Sequence, residues 1–168
     1  RDFYSGQDLA KHVKGLLERR PNARRCNYLK EKVSKLNGSW AFVYKHKKEL
    51  FAAVDRVRSI PLFYGIEGNE LTISDDANKV FKNLESPEID DISSAEYLLA
   101  GFVTTEKTLT KRLKQLQAGH YLEVDTRGNE TKFFQRRYWG FGSKKNFPEK
   151  EKFLQEKLLE TLEKVFER

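Results

Sequence analysis

Leu36-Asn37-Gly38-Ser39-Trp40-Ala41-Phe42-Val43-Tyr44, a charged turn over Lys45 to Lys48, and then Ala52-Ala53-Val54-Asp55-Arg56-Val57-Arg58-Ser59-Ile60-Pro61-Leu62-Phe63-Tyr64-Gly65 decide the fold of this chain. Trp40, Phe42 and Tyr44 alternate with Ala41 and Val43, so the first strand is apolar at both parities and both of its faces are expected to be covered. Its partner, Leu50 to Val54, is equally apolar. The expected pair is a hairpin inside a sheet that is buried on both sides. Beyond it, Leu62 to Ile66 and Leu71 to Ile73 flank Glu67-Gly68-Asn69-Glu70, a turn with residues suited to positive φ.

Helical period brackets these strands. Ser5 and Asp8 resemble a capping box ahead of Leu9, Val13, Leu16 and Leu17, which recur on one helical face until Arg20-Pro21. Asn22 is placed to cap a second helix whose apolar stripe is Cys26, Leu29, Val33 and Leu36, ended by Asn37-Gly38. Ser93 and Glu96 form a second capping box before a helix that stops at Gly101. Tyr121 to Val124 and Lys132 to Phe134 read as another hairpin around Thr126-Arg127-Gly128-Asn129. From Pro148 a long helix carries Leu154, Leu158, Leu162 and Val165 on one face. Helices before a sheet buried on both sides, then more helix and hairpin, predict a layered α+β domain.

Composition narrows the function classes. The 168 residues suit one domain that buries roughly 70% of its unfolded surface, so no metal or disulfide staple is needed. One cysteine excludes an intrachain disulfide, and the three histidines, His12, His46 and His120, lack the spacing of a zinc site. A reducing, cytoplasmic setting is expected. No apolar run reaches the roughly 20 residues of a membrane span, so a soluble protein is expected. The net charge of +7 invites a basic nucleic-acid-binding reading. The Arg and Lys pairs are nevertheless scattered among 25 acidic residues with no recognition motif, which favours a solvated mixed-charge surface. The chain begins at Arg1, contains no methionine and closes on a helix without a cap, and so reads as a segment of something larger.

The ordered motifs resemble the N-terminal glutaminase domain of the glutamine-hydrolysing asparagine synthetase family, a class II amidotransferase of the N-terminal-nucleophile (Ntn) type. Arg1 to Leu9 is similar to that family's N-G-E-I-Y-N-x-x-E-L segment, and Leu36 to Tyr44 to its L-N-G-x-F-A-F strand. Asp55 to Tyr64 resembles the D-x-x-G-x-x-P-L-Y-Y turn, and Ile73-Ser74-Asp75 the A-S-E segment. Tyr97 to Val103, Thr108 to Tyr121 and Arg137-Tyr138-Trp139 resemble the Y-L-x-x-G-Y-V, T-x-x-x-x-I-x-x-L-x-P-G-H and R-Y-W tail. The resemblance implies an Ntn-hydrolase-like four-layer αββα sandwich with antiparallel sheets, incomplete at its N-terminus. Residues 1–140 would be the glutaminase-like segment and residues 141–168 a linker and connector helix toward an absent synthetase domain.

The implied chemistry needs a cysteine at the mature N-terminus whose own α-amine takes the thiol proton. Arg1 stands first here, and Cys26, on the apolar stripe of a helix, reads as a packed core thiol whose burial would raise its pKa. No catalytic residue is therefore assigned. Asp2 and Tyr4 are the candidate substrate-binding residues, with helix entry as their plainer role. The family's acidic S-D-T-E segment should lie between the first two helices, where Arg19-Arg20-Pro21-Asn22-Ala23-Arg24-Arg25 stands instead. A cation there repels a substrate ammonium by about 1 kcal/mol at contact range in water. Arg58 occupies a position that is glycine in the family's turn, and a different or looser turn is expected from it. His120 reads as structural. The resemblance places ATP and magnesium in the absent synthetase domain and leaves this segment without a cofactor; no S-G-G-x-D-S loop occurs in it. Two descriptions follow: an amidotransferase segment inactive by itself, or a degenerate glutaminase-like scaffold that docks a synthetase partner. The expected partners are a C-terminal synthetase domain or subunit, and glutamine only if the site is completed. The pattern also admits a homodimer.

Overall fold

The computed structural model describes residues 6–18, 30–46, 48–125, 131–142 and 150–167. Helix α1, Gly6–Glu18, and a short helical stretch at 30–33 precede strands β1 (Ala41–His46) and β2 (Glu49–Val54). β3 (Phe63–Glu67) and β4 (Glu70–Ser74) follow, then helices α2 (Ala77–Lys82) and α3 (Asp91–Ala100). β5 (Leu113–Gln115), β6 (His120–Asp125), β7 (Lys132–Arg137) and helix α4 (Glu151–Phe166) complete the order.

The strands form two antiparallel sheets, one of four strands in the order β1-β2-β6-β7 and one of three in the order β4-β3-β5. The register keeps apolar residues on matching faces. Val43 pairs with Ala52, Ala52 with Leu122 and Ala53 with Tyr121. Alternation along β2 then sends Ala52 and Val54 to one side and Phe51 and Ala53 to the other. The first side meets Leu62, Tyr64, Leu116, Leu122 and Val124 and forms the layer between the sheets. The second side packs with Tyr121 against Val13 of α1 and Val33. On the far face of the small sheet, Val80 of α2 packs with Leu84 and Leu113. Gly65 permits that approach, because a Cβ there would lie 3.0 Å from a Val80 methyl. Helix, sheet, sheet and helix thus succeed one another, as the layered α+β pattern predicts and as the αββα sandwich that the resemblance implies.

Several expectations need correction. β1 has apolar contacts on both faces, Ala41 with the inter-sheet layer and Phe42 and Tyr44 with the other side, but it is an edge strand and Val43 on it is 46% exposed, so its cover is partial. Helix α3 does not start at Ser93: Asp90 is its N-cap and accepts the Ser93 N–H at 2.9 Å, while Ser93 is fully buried. The Glu96 carboxylate accepts from Thr104 N instead of closing a capping box. Helix α2, capped by Asp76, and the three-residue β5 are additions that periodicity does not reveal. Ser5, Cys26, Pro148 and the turn at 126–130 lie outside the described residues.

Candidate functional site

The motifs that lie far apart in sequence converge on Asp55. Its side chain is 2% exposed and is satisfied entirely by backbone donors: Trp40 N at 3.1 Å, Val57 N at 2.9 Å and Ser59 N at 3.0 Å. Three N–H groups converging on one carboxylate fold the segment after β2 into a fixed turn. Its backbone continues the junction, since Asp55 N donates to Trp40 O at 3.0 Å and Gly119 N donates to Asp55 O at 3.0 Å. The Gly119 carbonyl in turn accepts from Tyr138 N at 2.9 Å and Trp139 N at 3.1 Å. The Tyr138 hydroxyl donates to Val54 O at 2.7 Å and closes the circuit. Arg56 reaches from the same turn to Ser34 O at 2.8 Å and lies over the Trp139 ring.

Arg58 overturns the expectation of a looser turn. Its φ is +56°, the left-handed conformation a glycine would take without cost. A side chain there is strained by about 1 kcal/mol or more, and the guanidinium is held by a hydrogen bond to Gln115 Oε1. The Gln115 amide then donates to Lys107 O at 3.0 Å, so the turn is bound to the loop that precedes β5. Gln115 carries no motif signal of its own. Its role follows only once β5 pairs with β3.

Between the sheets, on the β7 side, opens a cleft of about 500 Å³. It is lined by Tyr64, Glu106, Gln117, His120 and the β7 residues Phe133 to Arg136. Tyr64 Oη contacts Gln135 Oε1 at 3.5 Å, and the Gln135 amide donates to Gln117 Oε1 at 3.3 Å. The His120 ring uses Nδ1 to meet Ala118 O at 2.8 Å, in keeping with a structural role. Burial, and then the Glu106 charge, push the Tyr64 hydroxyl up to about 12, which makes it a poor base or nucleophile at neutral pH. Burial likewise raises Tyr138, with Asp55 adding to the effect. For both tyrosines the neutral form is favoured in the folded state. Their contribution is intact below the ordinary value near 10 and is lost as pH rises through the folded values. In an alkaline absorbance titration, Tyr64→Phe and Tyr138→Phe are each expected to remove a component that ionises above the ordinary tyrosine value, as the chain unfolds. Loss of only a component near pH 10 in either variant would contradict this.

The lining offers no thiol and no paired acid and base, and among the described residues no three His, Cys, Asp or Glu gather to hold a metal ion. Asp2 and Tyr4, the candidate substrate-binding residues, lie outside the described residues, as do Cys26 and the basic stretch 19–25. Among the described residues no helix is long and apolar enough to cross a membrane.

Two antiparallel sheets thus lie between helical layers and are tied at a buried aspartate turn. The chain belongs to the glutamine amidotransferase domain family, whose model matches residues 25–139. It is 28% identical over 129 residues to a putative glutamine-hydrolysing asparagine synthetase 2 of Methanocaldococcus jannaschii, covering 74% of this chain and 25% of that protein. Among solved structures it is similar to the glutamine phosphoribosylpyrophosphate amidotransferase from B. subtilis, with a TM-score of 0.50 and 16% identity over 84% of this chain and 24% of that one. A second structure, an allosteric regulatory enzyme of purine biosynthesis, gives a TM-score of 0.50 and 16% identity over 83% of this chain and 24% of that one. At such identity the structural likeness is one of fold. The chain spans about a quarter of the length of the relatives it matches.

Proposed function

We propose that this chain is the glutaminase-type segment of an asparagine-synthetase-like, ATP-dependent amidotransferase, and that the 168-residue polypeptide by itself does not hydrolyse glutamine. The observation that carries the reading is the meeting of four family motifs at Asp55, within a domain assigned to the glutamine amidotransferases. The parent would transfer ammonia from glutamine to an ATP-activated carboxylate and belong to asparagine biosynthesis as a cytoplasmic ligase. ATP and magnesium would act in its synthetase domain, since no glycine-rich phosphate loop occurs in these residues. Residues 1–140 would form the glutaminase-like segment and residues 141–168 the linker and connector. The end of the family match at residue 139 supports that division.

The inactivity claim rests on the nucleophile. The sole thiol, Cys26, has a peptide nitrogen in place of the free amine that would take its proton. Incubation of the purified chain with glutamine is expected to release no glutamate above the buffer control. Release that Cys26→Ala abolishes would overturn the claim.

The basic run Arg19 to Arg25 favours a second reading, a degenerate glutaminase-like module that docks a synthetase partner, because the family resemblance places an ammonium-binding acid there. The same glutamate assay on the polypeptide with its native N-terminus separates the two. Activity removes the degenerate reading, and none removes the glutaminase one.

A further inference from the structure

Asn37-Gly38 is the only asparagine-glycine pair in the chain; every other asparagine is followed by a residue that carries a side chain. The structure leaves this pair unguarded. Both residues are exposed and lie between the helical stretch at 30–33 and β1, outside any helix or strand. Gly38 has φ +100°, and a Cβ built on it would meet nothing within 4 Å. Among the described residues nothing accepts the Gly38 N–H and nothing bonds to the Asn37 amide. The amides that follow Asn78 and Asn83 are engaged instead, Lys79 N with Asp76 O at 3.2 Å and Leu84 N with Phe81 O at 3.1 Å. A backbone nitrogen with no acceptor to leave, in a residue with no Cβ to obstruct it, is free to approach the side-chain carbonyl of the residue before it.

We propose that Asn37 is a site of self-modification, at which the Gly38 nitrogen attacks the Asn37 carboxamide and converts it to aspartate and isoaspartate. Hydroxide removes the Gly38 amide proton and the nitrogen bonds to Cγ. The Cγ–Nδ2 bond breaks, and the leaving nitrogen takes a proton from water and departs as ammonia, restoring the hydroxide. Water then adds to either carbonyl of the cyclic imide and breaks one of its C–N bonds. Opening on one side gives aspartate; opening on the other gives isoaspartate, whose backbone is longer by a carbon. The new carboxylate stands in the turn that leads to the Trp40 N–H held by Asp55. Each chain releases a single ammonia, so the reaction is stoichiometric and independent of the glutamine chemistry proposed above.

Mass spectrometry tests it on the 168-residue chain, incubated folded in heavy-oxygen water at mildly alkaline pH and then digested. Asn37 is expected to convert at least about tenfold faster than Asn78 or Asn83, and within about threefold of its own rate in chain held unfolded by guanidinium chloride. The heavy oxygen should appear in both aspartate and isoaspartate. Gly38→Ala should slow conversion about tenfold in the unfolded chain as well, where the cost of positive φ plays no part. A folded chain that converts Asn37 no faster than Asn83, while the unfolded chain converts it, overturns the proposal by showing that the fold protects the turn. So does aspartate without isoaspartate, which marks direct hydrolysis of the side chain with no imide.

Discussion

Asp55→Ala is expected to destabilise the domain by about 2–4 kcal/mol, because it leaves the buried Trp40 N–H and the part-buried Val57 and Ser59 N–H groups without their acceptor. The donors are Trp40, Val57 and Ser59, bound at 2.9 to 3.1 Å to a carboxylate that is 2% exposed. No rearrangement of an alanine supplies those acceptors, and at the buried Trp40 N–H no exposed position offers water a ready substitute. Against a total stability of roughly 5–15 kcal/mol, the loss is a large share of what holds the fold. Urea unfolding followed by tryptophan fluorescence measures it. Asp55→Asn, which keeps one acceptor oxygen, should fall between the wild type and alanine. An alanine variant within 1 kcal/mol of wild type would show that the turn is held by its apolar neighbours alone.

Gly119→Ala should be of comparable severity for a different reason. The backbone there has φ +67°, and an added Cβ would sit 2.5 Å from the Trp139 carbonyl oxygen. The obstacle is main chain, so no side chain can rotate out of the way. Relief requires the segment after β7 to move, which breaks the bonds from Tyr138 N and Trp139 N to the Gly119 carbonyl. The left-handed conformation alone costs about 1–2 kcal/mol in a residue with a side chain, and the lost bonds bring the expected total to roughly 3 kcal/mol or more. Gly15→Ala is the matched control, since a Cβ in that helix meets nothing within 4 Å. It should stabilise by about 0.5–1 kcal/mol. Thermal unfolding of the two variants should therefore shift in opposite directions, and a Gly119→Ala midpoint at or above wild type refutes the steric account.

Much of the fold is legible in the chain because its strands are long enough for period and turn chemistry to agree. The hairpins of β1 with β2 and β3 with β4 lie where the apolar runs and the Gly68-Asn69 turn put them. Phe51, Val54 and Leu62 are in the core as their pattern implies, while Phe42 is only partly buried on the edge strand. Short elements escape. The six residues of α2 make less than two turns and three of them are lysine or asparagine, so no apolar period can develop. The start of α3 is misplaced because Asp90 and Ser93 are both good caps, and the choice falls to the bond between Asp90 N and Leu109 O, a tertiary contact.

The site is less legible than the scaffold. Arg58 shows why, since the residue type argues against positive φ while Gln115, distant in sequence, holds it there. The apolar faces of α3 and α4 are visible in the sequence, but periodicity names a buried side without naming what buries it. In α4 none of the residues is buried, and no core of this domain receives Leu158, Leu162 or Val165. Asp2 and Tyr4 rest on the family resemblance alone.

The bond from the Tyr138 hydroxyl to the Val54 carbonyl spans 84 residues of chain. Closing a loop of that length costs roughly 4 kcal/mol of entropy beyond a constant term, and the bond returns nothing until the loop is shut. The Asp55 junction is therefore expected to close late in folding, after the two local hairpins form, an order that φ values at Tyr138 would test. A ribosome must release all of β7 and Tyr138 beyond it before the turn between β2 and β3 gains its last partner. Until then β6 is an open edge of the four-stranded sheet, and there misassembly would begin.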